Sequence, residues 1–224
     1  MTAALIVAAG SASRMGFDKL LAMLGGEPVI LWTLRAFQEC GDIDGIWVVA
    51  GEERGAKIKE LAAGLTKFRG IVPGGAERHL SVWNGLQALP EDCELVAVHD
   101  GARPLISPGQ ISRCLATASE MGAAASARRV TETVKRADAA GLVTEAVERN
   151  GLWIMETPQV FRLAILKEAY AAVIHRGGVV TDEVSAVHGF GHPVQLVENL
   201  SQNPKITLPG DLETAARLLG SVPR

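Results

Sequence analysis

The sequence has little cysteine, few aromatic residues, no long apolar run and almost no net charge. Its 22 Lys+Arg stand against 25 Asp+Glu, for a net charge of −3 over 224 residues. That balance excludes a broad basic field for holding nucleic acid or an anionic membrane, so any anion must be gripped by a local site. The apolar runs are short, the opening MTAALIVAAG lacks a basic n-region, and no stretch approaches the roughly 20 residues of a membrane span. A soluble, cytoplasmic protein is the expectation. Cys40, Cys93 and Cys114 are odd in number and far apart, with no CxxC pair, which argues against a disulfide framework and a cysteine zinc site. They are expected to be buried as small hydrophobes. Aromatic residues make up only 4%, but 48% of the chain is apolar, and its length is enough to bury an ordinary core.

What is present is an alternation of two textures. Residues 3–9, 46–50 and 95–99 are short apolar runs that read as buried strands, with the small-residue run 123–127 a weaker candidate. Between them lie segments of helical period. Pro28 stands at a first turn ahead of Ile30, Leu34 and Phe37, and Pro108 stands ahead of Ile111, Cys114, Leu115 and Ala118. A helix at 163–175, a short helix from Thr181, a strand at 194–198 and a last helix from Pro209 follow, the last with Leu212, Ala215, Ala216 and Leu219 as its core stripe. The alternation predicts an α/β fold with a mostly parallel sheet covered on both sides, and the length fits one large domain or two small ones. Ligands then sit beyond the carboxyl ends of the strands, where the loops after Ala9 and His99 emerge.

Residues 131–148 differ. TVKRAD and LVTEAVE are β-like and partly polar around the turn Ala139-Ala140-Gly141, which predicts a hairpin arm over about 131–150. A lone hairpin is marginal in water, so it either packs on a second copy of the chain or folds back on its own domain.

The loop AAGSASRMGFDK is not a Walker A loop, and Gly10, Ala12 and Gly16 do not make a dinucleotide fingerprint. It does bring Arg14 and Lys19 to the mouth of the sheet. There the two cations either neutralise a polyphosphate and the charge that builds during its transfer, or are solvated surface charges. No G-x-S-x-G elbow supports serine hydrolysis. His188 and His192 flank glycines and precede Pro193, which points to loop or cap residues and away from a helical zinc pair.

AAGSASRMG, PGGAERHLSV, VHDGARP, TETVKR, VERNGLW, TPQ, TDE and PKITLPGDL occur in that order over nearly the whole chain. In this the sequence resembles the 2-C-methyl-D-erythritol 4-phosphate cytidylyltransferases. The resemblance implies a single nucleotidyltransferase domain spanning 1–224 with a doubly wound, mostly parallel sheet, a Mg²⁺ requirement and a homodimer joined through the 131–150 arm. It implies that Ala8, Ala9 and Gly10 line a cytidine pocket that Gly75, Arg78 and Ser81 complete, with Arg14 and Lys19 on the CTP phosphates. Asp100 falls in the ribose or metal neighbourhood, with Mg²⁺ held mainly by the CTP phosphates. Arg103, Thr133, Arg149, Thr157 and Thr181 form the sugar-phosphate site, where Arg149 reaches across from the other subunit and Thr157 is a second candidate to do so. Lys205, near the end of a β-like stretch, clamps the substrate phosphate with Thr207 beside it. Asp182 and Glu183 are either helix-start residues or polyol contacts.

The chain departs from the family pattern at three places: Ala12 replaces a glycine, Ala76 replaces an acidic or polar residue, and the interval from Arg14 to Lys19 is short. RMGFDKLL is similar to the molybdenum-cofactor nucleotidyltransferases. The implied reaction is CMP transfer from CTP to methylerythritol phosphate, with pyrophosphate leaving. The rivals are a pentitol-phosphate cytidylyltransferase, such as a ribitol 5-phosphate enzyme, and a catalytically silent nucleotide-binding module.

Overall fold

A computed structural model describes residues 1–10 and 17–221. In chain order its strands are β1 Thr2–Val7, β2 Met23–Leu24, β3 Glu27–Pro28, β4 Gly45–Ala50, β5 Phe68–Pro73, β6 Leu95–Asp100, β7 Ala123–Arg129, β8 Val134–Ala137, β9 Val143–Val147, β10 Trp153–Arg162 and β11 Gln195–Glu198. Its helices are α1 Val29–Glu39, α2 Glu52–Leu61, α3 Arg78–Gln87, α4 Pro108–Met121, α5 Leu163–His175, α6 Glu183–Gly189 and α7 Pro209–Ser221. Among the described residues, no helix is long and apolar enough to cross a membrane.

Seven strands form the central sheet in the order β11-β7-β10-β6-β1-β4-β5. All neighbours run parallel except β10, which is antiparallel to both β6 and β7. Strand β1 shows why the sheet is buried on both faces. Ala4, Ile6 and Ala8 pack into one apolar cluster, with Ile30, Leu34 and Phe37 of α1 and Ile111 and Cys114 of α4. Ala3 and Leu5, pointing the other way by the two-residue strand period, pack into a second cluster with Val82 and Leu86 of α3 and Leu166 and Tyr170 of α5. A strand with two dry faces has no room for polar alternation, and TAALIV has none.

The predicted core faces of α1 and α4 are buried throughout. Two details differ. Pro28 is the residue capping α1 and closes β3, one position ahead of a first-turn proline. On α7, Ala215 is buried and Leu212 and Leu219 pack on the core, but Ala216 is exposed. Ser107 caps α4, its hydroxyl accepting from Gln110 N at 3.2 Å, with Pro108 behind it at the first position. All three cysteines are free and buried.

Strands β8 and β9 pair only with each other and form a separate sheet. Asp138 builds their turn: Oδ1 accepts from Ala140 N and Leu142 N at 2.9 and 3.0 Å, and Gly141 takes the positive φ of 82° that the turn requires. Leu142 and Val143 are 68% and 66% exposed, so the hairpin does not fold back onto its own domain.

Candidate active site

The chain runs from β1 outward to β4 and β5 on one side and returns to β6 on the other, so the strand order reverses between β1 and β6. A crevice opens at such a switch point. Here it is a cavity of about 390 Å³ whose lining includes Ala8, Ala9, Gly10, Lys19, Gly75, Ala76, Arg78, Ser81, Asp100 and Lys205. Residues from well-separated stretches of sequence therefore meet at the carboxyl ends of the strands.

The cavity floor is backbone at close quarters. A Cβ on Gly74 would lie 2.6 Å from the Ala9 Cβ, and one on Gly75 would lie 2.6 Å from the Leu80 Cβ and 2.9 Å from the Leu80 carbonyl carbon. Glycine is the residue that allows this approach. Ser81 ties the turn together, accepting from Gly75 N at 2.9 Å and donating to Glu77 O at 3.0 Å. Ala76 presents only a methyl group to the cavity, with Glu77 beside it.

Asp100 ends β6 and is 8% exposed. Its carboxylate is 2.9 Å from Lys205 Nζ, 3.5 Å from Arg103 Nε and 3.6 Å from Arg78 Nη2. Burial pushes this carboxyl up, but Lys205, Arg78 and Arg103 outweigh burial and hold it well below the usual carboxylate range. A hydrogen-bonded relay supports it from behind. Asp100 N donates to Thr157 Oγ1 at 3.1 Å, Thr157 Oγ1 lies 3.0 Å from His99 Nδ1, and His99 Nε2 lies 3.2 Å from Arg103 O. The carbonyl can only accept, so Nε2 carries the imidazole proton and Nδ1 accepts from the threonine. Burial lowers the His99 value to about 4 and keeps the ring neutral.

Arg78, the first residue of α3, is aimed by a carboxylate that sequence reasoning left undecided. Glu183 is fully buried and takes Arg78 Nη1 and Nη2 at 2.6 and 3.1 Å, while Tyr170 Oη donates to it at 2.9 Å. Burial pushes the Tyr170 hydroxyl up, and Glu183 adds to the shift. Asp182 caps α6, accepting from Ser185 N at 2.9 Å. Both acidic residues of the TDE motif thus have structural work.

Lys205 joins this cavity to a second of about 630 Å³, whose lining includes Arg103, Arg128, Glu132, Glu156, Asn199 and Asn203. Arg103 Nη1 donates to Asn203 O at 2.8 Å. Glu156, 3% exposed, accepts from Asn199 Nδ2 at 2.9 Å. The segment carrying Lys205 is irregular and not a strand. It is held by Ile206 N donating to Ala102 O at 2.9 Å and by Lys19 Nζ donating to Ile206 O at 2.9 Å. Thr207 closes it, its hydroxyl donating to Lys205 O at 3.2 Å and its amide to Asp211 Oδ2 at 2.7 Å.

The remaining candidates stand apart. Arg149 is exposed at the base of the hairpin, where its guanidinium donates to Thr131 O, and it lines neither cavity. Thr133, on the arm, and Thr181, ahead of α6, are exposed and line neither. Thr157 is 4% exposed within its own chain, so it cannot be the residue that reaches across to another subunit. Arg14 and Ala12 lie outside the described residues.

The 2-C-methyl-D-erythritol 4-phosphate cytidylyltransferase (IspD) family model matches residues 2–221. A protein of that name from Prochlorococcus marinus (strain MIT 9313) is 41% identical over 217 residues, 96% of each chain. The crystal structure of 4-diphosphocytidyl-2C-methyl-D-erythritol synthase from Anaerococcus prevotii DSM 20548 is similar with a TM-score of 0.87 at 29% identity, over 98% of this chain and 96% of that one. That of the cytidylyltransferase from Thermus thermophilus has a TM-score of 0.80 at 32% identity, over 96% and 98%. With the match running from β1 through α7, the chain belongs to the 2-C-methyl-D-erythritol 4-phosphate cytidylyltransferase family.

Proposed function

We propose that this protein transfers CMP from CTP to 2-C-methyl-D-erythritol 4-phosphate, giving 4-diphosphocytidyl-2-C-methyl-D-erythritol and pyrophosphate in isoprenoid biosynthesis. The observation that carries the reading is Lys205, paired with Asp100 and lining both cavities. CTP occupies the cavity at the β1–β6 switch point, and the polyol phosphate occupies the neighbouring polar one. Ala8, Ala9, Gly10, Gly75 and Ser81 shape the cytidine end, Arg78 and Asp100 the ribose end, and Lys19 and Arg14 meet the triphosphate. Arg103 and Lys205 meet the polyol phosphate, with Thr157 and Thr207 behind them on Asp100 N and Lys205 O. Thr133 and Arg149 complete that site from the second subunit of a homodimer, joined through the exposed arm.

A phosphate monoester is mostly ionised at pH 7, so its oxygen attacks the α-phosphorus without a general base. The new P–O bond forms as the bond to the β-phosphate oxygen breaks, and pyrophosphate leaves with the electron pair. Two polyanions repel, so the protein's work is positioning and charge neutralisation. Mg²⁺ fits the donor set. Among the described residues no three His, Cys, Asp or Glu side chains group to hold a metal, and Mg²⁺ is commonly bound through substrate phosphates and one or two carboxylates. Asp100 and Glu77 line this cavity and would be the carboxylates facing an ion arriving on CTP, which would supply further neutralisation of the phosphates. Three buried free thiols fit a cytoplasmic setting.

Lys19→Ala and Lys205→Ala are each expected to lower kcat/KM by about 100-fold or more, and Lys205→Ala also to lower the melting temperature, because buried Asp100 loses its nearest cation. Full activity in either variant, measured by pyrophosphate release, contradicts the assignment of that lysine.

A further inference from the structure

One guanidinium outside both cavities holds the two ends of the segment that carries Arg14. Arg54, in the first turn of α2, donates from Nη1 to Ala8 O at 2.6 Å and to Gly10 O at 3.0 Å. Its Nε donates to Asp18 Oδ2 at 2.6 Å. Asp18 is fixed in turn, its Oδ1 accepting from Leu20 N at 3.1 Å. Arg54 and Asp18 side chains are 16% and 28% exposed, so the pair is largely shielded from water.

The residues so tied all flank the first cavity. Ala8 and Gly10 line it, and so do Lys19 and Leu20, which follow Asp18 in the chain. Arg54 does not line it. Two backbone acceptors and a carboxylate require donors spread over a rigid plane. The guanidinium fork provides that geometry, and a lysine ammonium, a point charge on a flexible stem, does not.

We infer that Arg54 is a positioning residue for the nucleotide: it sets the distance between the Ala8–Gly10 backbone and Lys19 and so determines how tightly CTP is held. This rests on the reading of that cavity as the CTP site. The second cavity shares none of the residues Arg54 bonds and is reached from them indirectly, through Lys19 and its bond to Ile206 O beside Lys205, so polyol phosphate binding is expected to change far less than CTP binding.

The test measures CTP binding by calorimetry and both KM values by pyrophosphate release, for the parent, Arg54→Ala, Arg54→Lys and Asp18→Asn. In Arg54→Ala the Kd and KM for CTP are expected to rise about tenfold or more, while the KM for the polyol phosphate stays within about twofold. Arg54→Lys does not restore CTP affinity, and Asp18→Asn shifts it in the same direction by a smaller factor. Should Arg54→Ala fail to fold, the other two variants decide on the same criteria. Unchanged CTP affinity in folded variants overturns the inference. So do equal rises in both KM values accompanied by a lowered melting temperature, since these mark a general loss of structure. Failure of the parent itself to bind CTP would instead overturn the reading of the cavity.

Discussion

Asp100 sits where an isolated carboxylate would be costly. Burying one carries a penalty of several kcal/mol, while a cation at about 4 Å returns roughly 4 kcal/mol at an effective dielectric constant near 20. One cation about breaks even and three win, even with Lys205 screened by its 41% exposure, which is why the group is held ionised. His99 behind it is the opposite case. Its folded value of about 4 lies below the ordinary 6.5 because burial penalises the imidazolium. Below pH 6.5 the unfolded chain takes up a proton there that the folded chain refuses until about pH 4. Stability is therefore expected to fall as pH drops through that window, by up to roughly 3 kcal/mol from this residue alone. Urea unfolding at intervals from pH 7 to 5 checks this in the parent and in His99→Gln. The slope should flatten in the variant, and an unchanged slope contradicts a neutral buried His99.

At the scale of elements, the hairpin is the part of the fold that its own domain does not explain. Its strands are exposed, its apolar Leu142 and Val143 are uncovered, and it carries Thr133 at its start with Arg149 beyond its end. If Arg149 serves the partner's site, two inactive variants should rescue each other. Mixing Arg149→Ala with Lys205→Ala after dissociation and reassociation gives heterodimers with one site intact, and activity should return to about a quarter of the parent value for random mixing. No recovery on mixing would place Arg149 in the site of its own subunit. The hairpin was legible from its β-like, partly polar texture and its Ala-Ala-Gly turn. Strand β10 was not: it lies antiparallel in the sheet with a register break between Met155 and Gln159, and it interrupts its apolar run with Glu156, Thr157 and Gln159. Those polar groups are buried because each has a partner inside the chain, and such pairing does not show in local sequence. Lys205 was misplaced on a strand for a related reason, since its segment is held by long-range bonds to Ala102 and Lys19.

For the whole molecule, a net charge of −3 and a polyanionic chemistry are compatible because the cations are concentrated. Arg78, Arg103 and Lys205 converge on one carboxylate, and Lys19 lines the cavity that this carboxylate lines. Strands β1, β4, β6, β7 and β11 and helices α1 and α4 to α7 were readable from apolar runs and helical periods, and the glycine and lysine positions from motifs, whereas β5, β10, α2 and α3 were not read. Supports such as Glu183 beneath Arg78 and Arg54 across Ala8 and Gly10 were not, because residues 105 and 46 positions apart meet only once the sheet has formed. The second cavity is expected to accept one polyol phosphate in preference to the other. Pyrophosphate release is to be followed with CTP and either 2-C-methyl-D-erythritol 4-phosphate or ribitol 5-phosphate, with CTP alone as the baseline. Rapid release with the methylerythritol compound and little above baseline with the ribitol compound is the expected result. Preference for ribitol 5-phosphate, or release with neither, contradicts it.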